Sequence, residues 1–170
     1  GYCEQLWHGF RKIGFTIRSL YRWARTDSPD QFDEFIIDRM SGLMKTSLTG
    51  TSYDVASTFY EKYKDDYVCG SITKNIWYEF KNHRWVKVTA GYTIYLKINE
   101  DLVNDFLRMG ENYGARAIDA IGEDKDNYLQ KQQAAIKLCH KMRGADFKNS
   151  IMAELRNIFH IPEFIEELDE

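Results

Sequence analysis

The stretch from residue 76 to residue 88, Ile-Trp-Tyr-Glu-Phe-Lys-Asn-His-Arg-Trp-Val-Lys-Val, decides the fold class of this 170-residue chain. It is rich in aromatic and β-branched residues on both sides of a polar centre, which predicts two short strands joined by a turn. Asn82 and His83 suit the turn because both tolerate a positive φ better than most other residues. We therefore expect a β-hairpin at residues 76–88.

Alternation along the first strand of this hairpin predicts two faces. Trp77 and Glu79 face one side, and Ile76, Tyr78 and Phe80 face the other. An isolated hairpin is only marginally stable in water, so a third strand or a covering helix is needed. The stretch from residue 67 to residue 72, with a turn at residues 74–75, predicts that third strand in a meander.

The rest of the chain has helical patterns. We expect an α+β protein that is mostly α-helical, with a small antiparallel β-hairpin or three-strand meander and a possible winged-helix-like element. Ser28 and Pro29 form a strong helix start, and Thr51 or Ser52 opens a further helix with Asp54 in its first turn. The predicted helices cover about residues 3–13, 16–24, 28–46, 51–66, 99–109, 128–142 and 146–159.

The sequence does not decide the secondary structure of two regions. Residues 92–98 fit either a short extended piece or a helix. Asn99 resembles the cap of a new helix with an acidic first turn. Gly110 and Gly114 are expected to interrupt the helical pattern that follows, so residues 110–145 are the least defined part of the chain.

Five basic side chains surround the hairpin, which makes it a candidate site for nucleic acid. Basic residues near aromatic rings are suited to contacting phosphates while bases stack. Alternatively, Trp77 and Trp85 pair across the hairpin as packing residues while the charges protect exposed strand edges. We favour packing for the tryptophans and leave both interpretations open for the charges, which belong to Lys74, Lys81, His83, Arg84 and Lys87.

A second basic set lies near the start of the chain. Arg18, Arg22 and Arg25 recur at spacings of four and three, on one face of the predicted helix at 16–24. A helix, a glycine turn at Gly14 and a basic second helix resemble a helix-turn-helix, which would bind DNA. The alternative, which we favour, is a solvated helix face.

Composition limits the classes of function. The net charge is −3, so the whole surface is not built to attract nucleic acid. Cys3, Cys69 and Cys139 have no spacing that closes a zinc site, which suggests thiols in a reducing compartment. Without an apolar run long enough to span a bilayer, we expect a soluble intracellular chain with no membrane partner. The first residue is Gly1 rather than methionine, which suggests a piece of a longer protein.

Sequence motifs for catalysis are not found. The chain has no phosphate-binding loop, no dinucleotide-binding glycine motif and no metalloprotease motif. The four histidines are dispersed, and none has a metal-ligand spacing with an acid or a cysteine. We therefore expect no catalytic residue, no metal site and no cofactor in this chain.

Several stretches together resemble one viral family. The chain is similar to the segment that precedes the superfamily 3 helicase motor in the poxvirus-type primase-helicases of nucleocytoplasmic large DNA viruses. The Trp-Tyr-Glu-Phe strand is the most specific part of this resemblance, and residues 110–145 match least. The resemblance is carried by residues 14–24, 54–60, 63–69, 77–86, 147–154 and 168–170.

The resemblance implies a piece of a replicative enzyme. The parent would prime and unwind DNA, using ATP and magnesium, as a homo-oligomer that is expected to be a hexamer. This segment would carry none of the catalytic residues. It would act as a collar that supports ring assembly and guides single-stranded or forked DNA to the motor, at viral replication sites in the host cytoplasm or nucleus.

The resemblance also suggests domain limits. Residues 1–27 would be the remnant of a helical primase-associated domain, 28–50 a connecting helix and loop, and 51–170 the collar. An alternative function is a protein-interaction module that docks viral replication proteins without touching DNA. The acidic net charge and the abundance of aromatic residues, 15% of the chain, support that alternative.

Overall fold

The computed structural model describes residues 20, 23–24 and 26–165. The chain forms two compact units, Gly1–Arg39 and Met40–Glu170. The helix predicted at residues 3–13 lies outside the described residues, as do Arg18, Arg22 and Arg25. The domain limits suggested by the sequence stay a prediction.

The chain is mostly α-helical with one three-stranded antiparallel sheet, as the sequence predicted. A 3₁₀ turn (Thr89–Gly91) follows the sheet, and a π turn (Ile98–Leu102) joins two of the helices. The elements in chain order are α1 (Pro29–Ser47), α2 (Ser52–Tyr63), β1 (Tyr67–Ser71), β2 (Ile76–Lys81), β3 (Arg84–Val88), α3 (Tyr92–Lys97), α4 (Val103–Asp119), α5 (Glu123–Arg143) and α6 (Ala145–Ile158).

Two of the predicted helix starts are confirmed, those of α1 and α2. Helix α1 begins at Pro29, whose fixed φ and missing N–H suit a first helical position. The side-chain oxygen of Thr51 caps α2 by accepting a hydrogen bond of 3.2 Å from the backbone N–H of Asp54. Both helices therefore begin where local chemistry alone directs them.

The sheet has the strand order β1-β2-β3, so the predicted meander is confirmed. Its register pairs Trp77 with Val88 and Phe80 with Trp85. The expected cross-strand pair of Trp77 and Trp85 is therefore wrong, because the two-residue turn places these side chains on opposite faces. The predicted separation of faces within β2 is confirmed, since Trp77 is 0% and Glu79 is 6% exposed while their neighbours are half-buried.

The core is an aromatic cluster between α2, the inner face of the sheet and the end of α6. Phe159 lies at its centre, and four rings surround it at centroid distances between 4.9 and 6.3 Å: Phe59, Tyr60, Tyr67 and Trp77. All four contacts are edge-on, the geometry that aromatic quadrupoles favour. One residue thus joins a helix to two strands.

The segment after α6 also covers an edge of the sheet. The N–H of Cys69 donates to the carbonyl of Phe159 at 3.0 Å, and the N–H of Ile161 donates to the carbonyl of Cys69 at 3.3 Å. This parallel bridge satisfies backbone groups on the outer side of β1, which would otherwise be open to pairing with another chain. Phe164 then packs on the other face of the sheet, against Tyr78 and Trp85.

Residues 92–119 form one continuous helical run, so the extended alternative for residues 92–98 is wrong. The predicted cap at Asn99 is also wrong, because the chain passes through the π turn without ending the helix. The inward stripe explains the π turn. Twelve residues separate Ile94 from Phe106, which in a regular α-helix would place the two side chains about 120° apart around the axis. One extra residue in the π turn removes most of this difference, and both side chains are 0% exposed.

Gly110 and Gly114 do not interrupt α4, contrary to the sequence prediction. Both face α5, and a Cβ atom on Gly110 would lie 3.4 Å from the Cβ of Ala135. The glycines therefore allow two antiparallel helices to approach closely, and this packing outweighs their low helix propensity. Residues 103–143 form a helical hairpin whose loop lies at residues 120–122.

We predict that Gly91→Ala destabilises the protein by about 1 to 3 kcal/mol. Gly91 has a φ of +68°, and an added Cβ would lie 2.8 Å from Met152 Cε and 3.1 Å from Trp77 Nε1. Urea unfolding followed by circular dichroism measures the change. Gly42→Ala is the matched control, because Gly42 lies inside α1 with nothing within 4 Å of an added Cβ. That control is expected to be neutral or slightly stabilising, and equal destabilisation by both changes would contradict the interpretation.

Candidate nucleic-acid interface

The turn between β2 and β3 brings three exposed basic side chains together at one end of the sheet. Asn82 and His83 form a two-residue turn with φ values of +50° and +63°, as predicted, and Lys81 and Arg84 are the strand partners that flank it. Positive φ at both central residues is the type I′ geometry, whose twist matches that of the strands. We call Lys81, His83 and Arg84 the turn patch, and all three are exposed.

Glu79 forms an ion pair with Lys81, one member of the turn patch. Its carboxylate is 6% exposed on the inner face, accepts a hydrogen bond of 3.1 Å from Tyr67 Oη, and lies 2.9 Å from Lys81 Nζ. Direct opposition of two cations across strands is unfavourable, and Glu79 relieves it. An ion pair with a half-exposed lysine adds little stability, so its main effect is to orient Lys81 and leave Arg84 as the strongest outward charge.

The structure separates the remaining predicted residues from the turn patch. Lys87 is exposed, but it pairs with Tyr78 in mid-sheet and therefore lies on the face opposite Lys81 and Arg84. Lys74 lies in the turn between β1 and β2, at the other end of β2, which is a distance of about 17 to 20 Å. The sequence placed all five charges around one turn, whereas the structure brings together three.

The tryptophans near the turn patch are packing residues. Trp77 is fully buried, and its indole N–H donates to Asn75 Oδ1 at 2.9 Å. Trp85 is half-buried between Phe80 and Phe164, with ring centroids 5.2 Å from each. Neither presents an open ring to a nucleic-acid base, so the turn patch is suited to phosphate rather than to base recognition.

Sequence reasoning missed two exposed aromatic residues, Tyr92 and Tyr53, which are 62% and 59% exposed. Tyr92 opens α3 directly after Gly91, and Tyr53 lies in the first turn of α2. No sequence signal marks either one, because an aromatic residue in an amphipathic helix usually predicts a core position.

Several charged residues beside the π turn make contacts within the fold and form a polar cluster around Tyr63. Tyr63 Oη donates to Asp101 Oδ2 at 2.6 Å, Lys62 pairs with Asp105, and the ammonium of Lys97 lies 4.9 Å from the centroid of the Tyr63 ring. Burial, and then the hydrogen bond to Asp101, raise the pKa of Tyr63 far above its usual range. Lys62 and Lys97 therefore contact other residues of the chain, and we do not include them in the candidate interface.

The buried thiols show no sign of chemical activation. Burial raises the pKa of both Cys69 and Cys139, so each stays a protonated, weakly nucleophilic group at neutral pH.

Over residues 26–165, no three histidine, cysteine, aspartate or glutamate side chains come together as metal ligands. In the same part of the chain, no helix has the length and apolar character that crossing a membrane requires.

We predict that His83→Gly stabilises the protein by up to about 1 kcal/mol, because glycine adopts a positive φ without steric cost. Thermal unfolding measures the change. Thr73→Gly is the control, since Thr73 is an exposed turn residue that is not among those with positive φ, and no gain is expected there. Destabilisation by His83→Gly would show that the imidazole has a structural role.

A comparison with known proteins finds a viral relative. The chain is 33% identical over 174 aligned residues to a protein of Acanthamoeba polyphaga mimivirus named "Putative helicase L207/L206". The alignment covers 99% of this chain and 18% of that protein. No family model matches the chain. The chain is therefore similar, along nearly its whole length, to one part of a much longer viral protein.

Proposed function

We propose that this chain is a non-catalytic segment of a viral DNA replication helicase, and that it guides DNA along the turn patch toward the motor. The single observation that carries the proposal is the turn patch itself, in which His83 and Arg84 project at the end of the sheet with Lys81 held by Glu79. The similarity to a mimivirus protein named as a putative helicase supports the part of the proposal that places this chain in a viral helicase.

The chemistry expected of this surface is limited to the DNA backbone. Its cations attract phosphates and release counterions, while the neighbouring indoles are packed away from bases. The proposal therefore includes weak, salt-sensitive binding to single-stranded or forked DNA, without sequence preference. Priming, ATP hydrolysis with magnesium, and the superfamily 3 ring would belong to other parts of the longer protein, and this segment would support assembly of that ring.

A second candidate function is docking of a viral replication protein. Ile118, in the last turn of α4, and Ile121, in the loop of the helical hairpin, are 79% and 89% exposed. Two large aliphatic side chains this exposed within three residues of each other add apolar surface to the tip of the hairpin. Such a tip fits an apolar pocket on a protein partner. This candidate requires no contact with DNA.

The experiment that tests the proposal compares two charge-matched single variants. Arg84→Ala removes the outward cation of the turn patch, and Lys74→Ala removes an exposed cation in the turn at the other end of β2. Lys81 is left in place, because its loss would strand the buried Glu79 carboxylate. Fluorescence anisotropy with labelled single-stranded and forked DNA, over a series of salt concentrations, gives affinity and salt slope.

We predict that Arg84→Ala loses at least about threefold in affinity, and that its salt slope on single strands falls by about 0.7, the value for one lost phosphate contact. The control should change less than about twofold. Equal losses in both variants would remove the turn patch from the DNA path. Undetectable DNA binding, together with recovery of a replication protein that Ile121→Ser abolishes, would favour the docking function.

A further inference from the structure

The outer face of α5 carries a second stripe of regularly spaced residues. Its inner face is the buried one, formed by Ala135, Leu138, Cys139 and Met142. The outer stripe recurs at spacings of three and four, which is the pattern of a seam between two helices. All its members are exposed, and they are Asp126, Leu129, Gln133, Ile136, His140 and Arg143.

The apolar members of this outer stripe are only partly covered. Leu129 and Ile136 remain 37% and 42% exposed, although Ile136 borders the seam with α4, where its Cγ1 would lie 3.9 Å from a Cβ on Gly110. In the described part of the chain α5 packs mainly on α4, with smaller contacts to α6 and the π turn. The outer stripe is therefore a helix face that a further helix fits.

The opposite charges at the two ends of the outer stripe, Asp126 and Arg143, indicate its occupant. The stripe's spacings of three, four, three, four and three residues read the same in both directions, so an antiparallel copy of α5 matches it position for position. In that alignment Asp126 lies opposite Arg143 of the second copy, Leu129 opposite His140, and Gln133 opposite Ile136, so Leu129 and Ile136 of the two copies are diagonal neighbours along the seam. The charged ends form an ion pair twice, because the two-fold axis repeats each contact.

A parallel copy would not fit in this way. It would place Asp126 against Asp126 and Arg143 against Arg143 at matching positions, and like charges in register are unfavourable. The acidic first turn of α5 and its basic last turn also complement the helix dipole within one chain. Dipole complementarity, however, does not require the charges to lie on the same face as Leu129 and Ile136.

We propose that this chain pairs with a second copy of itself through an antiparallel contact of α5 with α5. The contact is isologous and closes at two chains, so it is additional to any contact that closes a ring, and it does not depend on the DNA-binding role of the turn patch. The seam from Asp126 to Arg143 is about 26 Å long at 1.5 Å per residue. One helix pair of that length lies at the small end of specific interfaces, so the dimer is weak.

A charge exchange tests the proposal. Asp126→Lys places a lysine opposite Arg143 at both ends of the homodimer, and Arg143→Glu places a glutamate opposite Asp126, so each single variant creates two repulsions between like charges. When the two single variants are mixed, both ion pairs re-form in the heterodimer, and the double variant restores them in a homodimer. Sedimentation equilibrium over a range of chain concentrations measures each dissociation constant.

We expect each single variant to weaken self-association at least about tenfold, and the mixture and the double variant to recover it to within about threefold of the original chain. Asp124→Lys and Arg108→Glu are the matched controls. They make the same charge changes at exposed positions off the outer stripe, and they should leave the dissociation constant unchanged. Circular dichroism verifies that each variant is folded.

Several results would overturn the proposal. They are a monomeric chain at every concentration, single variants that associate as well as the original, or a double variant that is not restored. Should either charge reversal prevent folding, Gln133→Glu provides the same test, because it places two carboxylates near the centre of the seam and should abolish the dimer at neutral pH. A dimer that survives Gln133→Glu would contradict an α5 seam.

Discussion

The packing of Phe159 against the sheet is the interaction on which the rest of this structure depends. Its ring contacts α2 through Phe59 and the inner face of the sheet through Tyr67 and Trp77. Its carbonyl accepts a hydrogen bond from the backbone of Cys69. A three-stranded meander cannot bury both faces by itself, and the end of α6 supplies the missing cover. The last helix before the end of the described chain is therefore as important to the sheet as its own strands.

The properties of the turn patch follow from this anchoring. Because Trp77 is fixed on the inner face, strand alternation places Glu79 and then Lys81 on that face. The two-residue turn next places Arg84 opposite Lys81, while Lys87 lies on the outer face. The buried carboxylate of Glu79 holds one cation and leaves His83 and Arg84 projecting. The candidate DNA contact is thus a consequence of sheet register, rather than of local sequence alone.

Much of the fold could be predicted from the sequence. Alternation gave the faces of β2, and capping residues gave the starts of α1 and α2, because these features depend on neighbouring residues only. The site was less predictable. Lys74 belongs to a different turn, and the expected pair of Trp77 with Trp85 is three residues out of register with the observed pair of Trp77 with Val88. Gly110 and Gly114 led to a wrong prediction of a helix break. Their role is to allow close packing against a helix that is distant in sequence, and local helix propensity carries no information about such packing.

The most direct test of the central claim, that DNA passes the β2–β3 turn, is photo-crosslinking to forked DNA. A benzoylphenylalanine residue at Val86 lies beside the turn patch, and one at Ile72 lies at the other end of the sheet. Both native side chains are 37% exposed, so accessibility is matched and no basic residue is lost. We predict strong crosslinks from position 86 and few from position 72. Equal crosslinking, or crosslinks from position 72 alone, would contradict it.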